Sequence, residues 1–430
     1  MPIYAEKGGR ELHISDDELR ELVLSTIRTA AAGKPLKRLL LLPPDHTRLN
    51  SQAGKITRMI YEEYARSCEI VIMPALGTHS PMGEKELSLM FGDTIPRSCF
   101  RVHDWRNDVV KLGKASSDFI RELSKGKLDY EVEIAANKIL FEDWDLILSI
   151  GQVVPHEVVG MANYTKNIMV GVGGPDMINK SHFLGASYGL ERLMGLADTP
   201  VRKLFNYGVH TYLKDLPIVY LLTVMAKNHE TGQMEMKGLF IGDDDETYAK
   251  GVKLSQQTNL DLMDAPVKKV VVYLDPEEFR STWLGNKAVY RTRMMIADDG
   301  DLIILAPGLK QFGEDPTNDK LIRKYGYKGT PATLKAVAEN EDLRQNLGAA
   351  AHLIHGSSEG RFRITYCPGK NITKEEVASV GFLVEDYDKM AARYNPETLK
   401  DGFNTLPDGE EIFYISNPAL GLWALKKNFL

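Results

Sequence analysis

Short apolar runs bounded by proline, glycine and charged residues alternate along this chain with segments in which apolar residues return every three or four positions. That is the pattern of strands and helices in succession. Leu19, Leu22, Val23 and Ile27 repeat at helical spacing behind Ser15-Asp16-Asp17-Glu18, a capping-box start with Ser15 as the cap. Lys37 to Leu42 reads as a strand stopped by Pro43-Pro44, and a helix carrying Ile56, Met59 and Ile60 follows Asp45-His46-Thr47-Arg48. Glu69 to Pro74 is a second strand, ending at Leu76-Gly77-Thr78-His79 before a helix from about Met82. Phe141 to Ile150, FEDWDLILSI, is a third and buried strand with Pro155 and His156 at its carboxyl end. A helix starts around Asp245, and Asp264-Ala265-Pro266 marks a boundary. Beyond it the alternation resumes with a strand over Lys269 to Leu274, a helix start within Asp275 to Trp283, and a helix over Lys287 to Ile296. Further strands cover Leu302 to Ala306, Arg361 to Cys367 and Glu411 to Ile415.

The pattern predicts an α/β protein of two α/β domains with mainly parallel sheets, residues 1–266 and 267–430, and an active-site cleft between them. The last residues are free to pack back on the first domain, and closure of the cleft over a ligand is the expected working motion. At 430 residues the chain is too long for one core, and each half is large enough to bury its own.

Composition narrows the class. A hydrophobic fraction of 43%, a charged fraction of 26% and a net charge of −6 describe an ordinary globular protein. No basic block is long enough to track a phosphate backbone, which argues against nucleic acid as partner. The first residues lack a charged segment followed by an apolar run, and no later stretch has the length to span a bilayer, so a cytoplasmic location is expected, without membrane contact. Cys68, Cys99 and Cys367 are odd in number and far apart, which fits reduced core thiols.

The candidate chemistry concentrates in Gly151 to His182, GQVVPHEVVGMANYTKNIMVGVGGPDMINKSH. It places His156 after a strand, Lys166 ten positions later, a bend with Gly171, Gly173 and Gly174, and then His182. His79 and His156 both follow strands, where open α/β sheets gather ligands, and imidazoles facing one pocket suit proton transfer near neutrality. Each also has a structural reading, as a satisfied loop histidine. Lys166 lies among Met161, Ala162, Tyr164, Ile168, Met169 and Val170, where burial would lower its pKa and expose a nucleophilic amine. The alternative is a lysine paired with Glu157 or Asp176. His182 is a candidate metal ligand, yet no other ligands stand at HExxH or CxxC spacing, so a metal here needs donors from outside the protein. Arg48 and Lys287 are cations able to hold a carboxylate, with surface ion pairs as the alternative.

In its Asp45-His46-Thr47-Arg48, Gly77-Thr78-His79, Pro155-His156, Lys166 and His182, the chain resembles the lactate racemase family across nearly its whole length. The resemblance implies a nickel-pincer nucleotide, a pyridinium-3-thioamide-5-thiocarboxylic acid mononucleotide tethered to Lys166, with His182 completing the nickel site. It implies His79 and His156 as the two acid/base groups, Arg48, Lys287 and Trp283 as substrate-binding residues, and Asp45 near the cofactor. The reaction so implied is inversion of C2 of a small-molecule 2-hydroxy acid by reversible hydride transfer. Cofactor-making enzymes would be transient partners, and there is room for an oligomer.

The chain departs from the family where the substrate would lie. The family carries Gln three residues before the lysine that Lys287 matches, and here Leu284 stands there after Trp283. His352 to Arg363, HLIHGSSEGRFR, offers His352, His355, Ser357, Ser358, Glu359 and Arg361 for hydroxyls or a second carboxylate if it faces the cleft, and is otherwise a solvated loop. These residues favour a larger polar acid, an aldonate such as gluconate, ahead of malate or lactate. Two other classes are compatible with the residues alone: a zinc hydrolase using His79, His156 and His182, and a non-catalytic sugar-acid or nucleotide binding protein.

Overall fold

In the computed structural model, which describes residues 4–228, 233–419 and 421–429, the chain divides into two units. The first joins Met1–Ser181 to Leu193–Asn259, and the second joins His182–Arg192 to Leu260–Leu430.

The first unit is built on strands β1 (Ala5–Gly8), β2 (Arg38–Leu42), β3 (Glu69–Ile72), β4 (Leu146–Gln152), β5 (Ile218–Lys227) and β6 (Met234–Gly242). They lie in the order β1-β6-β5-β4-β2-β3. The run β5-β4-β2-β3 is parallel, whereas β1 and β6 join it antiparallel. Leu39, Leu41, Ile70, Ile72, Leu146, Leu148 and Ile150 share one core with Leu19, Val23 and Ile27 of helix α1 (Asp16–Ala30) and Ile56 and Ile60 of α2 (Ala53–Tyr64). The intervening Leu40, Leu42, Val71 and Ile147 are buried as well, so both sheet faces are covered, as a parallel sheet requires. Each such side chain contributes about 1.5–3 kcal/mol. Ser15 caps α1 by accepting from the Glu18 N–H at 3.4 Å, and three acidic residues in that first turn complement the helix dipole. Further helices are α3 (Glu84–Phe91), α4 (Pro175–Tyr188), α5 (Pro200–Tyr212) and α6 (Asp245–Thr258).

The second unit has a sheet of β7 (Val267–Tyr273), β8 (Ile296–Ala306), β9 (Arg363–Pro368), β10 (Leu383–Val384), β11 (Gly402–Thr405) and β12 (Glu411–Ile415). Its order is β10-β9-β8-β7-β12-β11, parallel throughout except for the β11-β12 pair. The protein is thus a mixed α/β chain with mainly parallel pairing. Three of its helices matter below: α7 (Thr282–Gly285), α8 (Lys287–Tyr290) and α9 (Leu347–His355). No helix among the described residues is long and apolar enough to cross a membrane. The three cysteines are unbridged. Burial pushes the Cys68 thiol up to about 11 and the Cys367 thiol up to about 12, so neither is an ionised nucleophile.

Two predicted elements shift. The strand expected from Phe141 starts at Leu146, because residues 138–141 form a 3-10 turn and the Trp144 indole N–H donates to Ile139 O at 2.6 Å, folding the chain back first. The helix expected over Lys287 to Ile296 stops at Tyr290, and Ile296 already belongs to β8. Thr292 turns its hydroxyl back onto Ala288 O at 2.6 Å, and the Met295 N–H closes onto Thr292 O, which ends the helix and starts the strand.

Candidate active site

The carboxyl ends of the neighbouring parallel strands β3, β2 and β4 deliver their loops to one edge of the first sheet. Asp45 follows β2 after Pro43 and Pro44, His79 follows β3, and His156 follows β4. A bridge between Pro44 and Ala75 carries the β2-β3 pairing onward to this edge.

Asp45 is buried, and its Oδ1 accepts from the Thr47 N–H (3.1 Å) and hydroxyl (2.5 Å). Its Oδ2 lies 2.5 Å from Nδ1 of His79, whose ring is more than half exposed. Burial alone would raise this carboxyl, but the hydrogen bond and charge of His79, the Thr47 hydroxyl and Arg48 outweigh it and hold the group at about 2. An ionised carboxylate can only accept, so Nδ1 of His79 carries a proton, and in the neutral ring the Nε2 lone pair is left as a base. His156 has the opposite arrangement. It is buried in a two-residue pairing of Pro155–His156 with Gly160–Met161, and its Nδ1 accepts the Val158 N–H at 3.1 Å. In the neutral ring the proton therefore sits on Nε2, a donor. Glu157 Oε2 stands 3.7 Å from Nδ1.

Lys166 comes next on the chain, half-buried and leading into a π-helical turn over Asn167–Gly171. π-turns concentrate at functional sites. The two residues before Thr165 are both left-handed, Asn163 at φ 64° and Tyr164 at φ 58°. Asparagine adopts that region readily, but tyrosine does so at a cost of about 1–2 kcal/mol. The turn is tied to the strand edge by Asn167, whose side-chain amide donates to Leu42 O and Ser149 Oγ, both at 2.9 Å, and by the Gly77 N–H, which donates to Gly171 O at 2.9 Å. Nζ of Lys166 makes no hydrogen bond or ion pair among the described residues. Asp176, one partner considered from the sequence, is held by Lys180 at 2.7 Å. Burial and then the positive charge of Arg48 push the Lys166 amine down to about 8, with Arg202 adding to them against the pull of Glu157 and Asp45. Roughly a tenth of it is then neutral at pH 7. Arg48 is exposed, and among the described residues its guanidinium donates only to its neighbour's carbonyl, Thr47 O, at 3.4 Å, which leaves it available to an anion.

The glycines of the bend serve packing. A Cβ on Gly173 would lie 1.9 Å from Met169 O, inside the π-turn itself. Gly173→Ala is expected to cost about 1–3 kcal/mol of stability, read as a lower urea midpoint at unchanged slope.

His182 is half-buried on α4, in the stretch that groups with the second unit. No group of three or more His, Cys, Asp or Glu side chains able to hold a metal occurs among the described residues. Lys287 and Trp283 lie in the second unit, both half-buried, with Lys287 Nζ 5.4 Å from the Phe279 ring centre. Trp283 stacks on His352 at 4.3 Å and 26°, His352 Nε2 meets the Tyr327 hydroxyl at 2.9 Å, and that hydroxyl meets Thr282 Oγ1 at 2.8 Å.

The segment from His352 to Arg363 is not a solvated loop over its first half. His352 and His355 end α9, and with Ser357 they are buried. Glu359 accepts from the Thr330 N–H and hydroxyl and from Ser357, which occupies it at the start of the Thr330–Glu339 helix. Arg361 is engaged by Asp298 at 2.8 Å and by two carbonyls. Neither the buried Arg202 nor the left-handed Tyr164 carried a signal in local spacing or residue type. Asn163 alone carried a weak one, as a residue type that tolerates the left-handed region.

Fold and site together define the class: an α/β protein whose first parallel sheet presents an acid, two histidines of opposite tautomer and an unpaired lysine at its carboxyl edge. Residues 16–189 match the lactate racemase N-terminal domain. Lactate racemase of Thermoanaerobacterium thermosaccharolyticum is 23% identical over 262 residues, 58% of this chain and 56% of that protein, so the match spans little more than half of the relative's length. A crystal structure of a protein from Thermotoga maritima superposes with a TM-score of 0.79 at 23% identity, covering 98% of this chain and 100% of the other. The lactate racemase apoprotein from T. thermosaccharolyticum superposes with a TM-score of 0.70 at 15% identity, covering 98% and 96%. Residues 16–189 are thus similar to the lactate racemase N-terminal domain, and the fold of the whole chain is that of the T. thermosaccharolyticum apoprotein.

Proposed function

We propose that this protein is a racemase or epimerase that inverts C2 of a 2-hydroxy acid with a nickel-pincer nucleotide held on Lys166, and that its substrate is a larger polar acid of the aldonate type. The observation that carries the reading is the Lys166 amine: unpaired among the described residues, lowered to about 8, and set on the strand edge that also holds the Asp45–His79 pair and His156.

The residues fit the group. A lowered amine is what a covalent tether needs, and no three-ligand protein metal site occurs among the described residues, which suits a metal that brings its own donors, with His182 as its proposed protein ligand. When bound, the group supplies a reversible hydride acceptor, which no side chain here offers, so C2 need not become a carbanion. The chain does the rest. Nε2 of His79 takes the proton of the substrate hydroxyl while Asp45 steadies the imidazolium through Nδ1. Nε2 of His156 holds the proton that the product hydroxyl receives. Run in the other direction, the two rings exchange duties. Arg48 holds the carboxylate, and Lys287 is assigned to the substrate's oxygens.

Two features support the aldonate. Leu284 stands where the family resemblance has a glutamine, and Trp283, which that resemblance assigns to substrate, stacks on His352, itself fixed by Tyr327, an aromatic and polar pair suited to a hydroxylated chain. Glu359 and Arg361 have partners of their own and are withdrawn from this role. Protein produced together with the cofactor-making enzymes should show one nickel and the adduct mass on the Lys166 peptide. Assayed on gluconate, malate and lactate, it should invert gluconate with the highest kcat/KM. Preference for lactate would leave the racemase and sink the aldonate.

A further inference from the structure

The turn that presents Lys166 is gripped from behind by a buried arginine. Arg202 is 3% exposed, at the start of α5. Its backbone is fixed by Thr199, whose hydroxyl accepts the Arg202 N–H at 3.0 Å and donates to Val159 O at 2.9 Å. Nη1 of Arg202 donates to Thr165 Oγ1 at 2.7 Å and Nη2 to Met161 O at 2.8 Å, so one guanidinium spans both sides of the left-handed pair Asn163–Tyr164. Nη2 also reaches the Tyr248 hydroxyl at 2.9 Å, which itself donates to Met161 O at 3.0 Å. The Tyr248 ring lies under the guanidinium at 4.3 Å and stacks on Tyr164 at 5.0 Å and 15°.

This arginine has no carboxylate partner among the described residues, and its Nε has no hydrogen-bond acceptor. A buried cation of that kind is expensive, and a structural tie across a turn does not need one, since a neutral side chain can join two backbone segments. What a charge adds here is its field at the next residue, Lys166.

We propose that Arg202 is the positioning residue of Lys166: it clamps the strained turn that carries the amine, and its fixed charge acts on that amine. This rests on the reading of Lys166 as the attachment point, but the test does not. The other charged groups acting on the amine are Arg48, Glu157 and Asp45, and they are left in place.

The experiment is competitive labelling of the full-length, cofactor-free chain with trace acetic anhydride across pH 6 to 11, with Lys166 read by peptide mass spectrometry against exposed Lys335. Wild type should label with a midpoint near pH 8. Arg202→Met should move the midpoint up, cutting Lys166 labelling at pH 8 by about threefold relative to Lys335. Arg202→Lys keeps the charge but cannot span residues 161 and 165. It should keep the wild-type midpoint while labelling less at every pH, because the amine is no longer held at the edge. A folded Arg202→Met that labels like wild type overturns the proposal. If that variant does not fold, Arg202→Lys decides, and labelling indistinguishable from wild type at every pH overturns it as well. Whether Lys166 carries a cofactor is read separately, from the mass of loaded protein, so the two ideas fail independently.

Discussion

Lys166→Met, produced alongside the cofactor-making enzymes, is expected to lose both the adduct and all measurable inversion, a fall of at least about 10³-fold, and to be more stable than wild type. The two effects have one cause. A lysine whose amine is held at about 8 instead of 10.5 is one whose charged form the fold disfavours. The unfolded chain therefore binds more protons than the folded one between those values, and stability rises with pH across that window. Methionine removes the disfavoured charge and keeps the length. Unfolding free energy at pH 7 should increase by about 1–3 kcal/mol, and the rise between pH 8 and 10.5 should disappear. Urea melts of cofactor-free protein at pH 7 and pH 10 measure this. A variant less stable than wild type at pH 7 would mean that the amine has a stabilising partner after all.

Asp45→Asn should lower kcat by about 10²–10⁴-fold while leaving the adduct mass and the nickel content intact. Asparagine can turn its amide toward His79 and donate to Nδ1, which moves the ring proton to Nε2, the atom that has to receive the substrate's proton. Loss of the adduct in this variant would instead make Asp45 a cofactor holder, the role that the family resemblance implied. The carboxylate also contributes stability. Its folded value of about 2 lies below the ordinary 3.8, so the contribution is complete above pH 3.8 and is lost as pH falls toward 2. The difference in unfolding free energy between wild type and Asp45→Asn should be about 1–2 kcal/mol at pH 5 and should close near pH 2.

The opposite tautomers of the two histidines bear on direction. In their neutral rings Nε2 of His79 accepts and Nε2 of His156 donates, so under the proposed reaction a substrate hydroxyl presented to His79 meets the correct proton inventory at once. The reverse turnover needs both rings to exchange protons first. Arg202 extends the same logic to the amine, because the lowered value of Lys166 comes from burial and from two cations, Arg48 and Arg202, that outweigh Glu157 and Asp45.

Much of this was legible in the order of residues. Hydrophobic periodicity located β2, β3, the carboxyl end of β4 and the helix capped by Ser15, because apolar spacing and capping chemistry act within a few residues. The same reach marked Asp45, His79 and His156 as residues that follow strands, and Lys166 as a lysine among apolar neighbours. Where two local signals competed, as at Trp144 and Thr292, a single side-chain hydrogen bond decided where the strand or helix ended, and periodicity does not encode that. The pairing of His79 with Asp45 joins residues 34 apart, and the grip of Arg202 on Thr165 joins residues 37 apart. Such contacts exist only once the parallel sheet has brought its loops to one edge and a later helix has docked beneath them. Spacing along the chain thus selected which residues can do chemistry. Burial, tautomer and charge at those residues came from packing, because each depends on groups that are distant in sequence and adjacent only after folding.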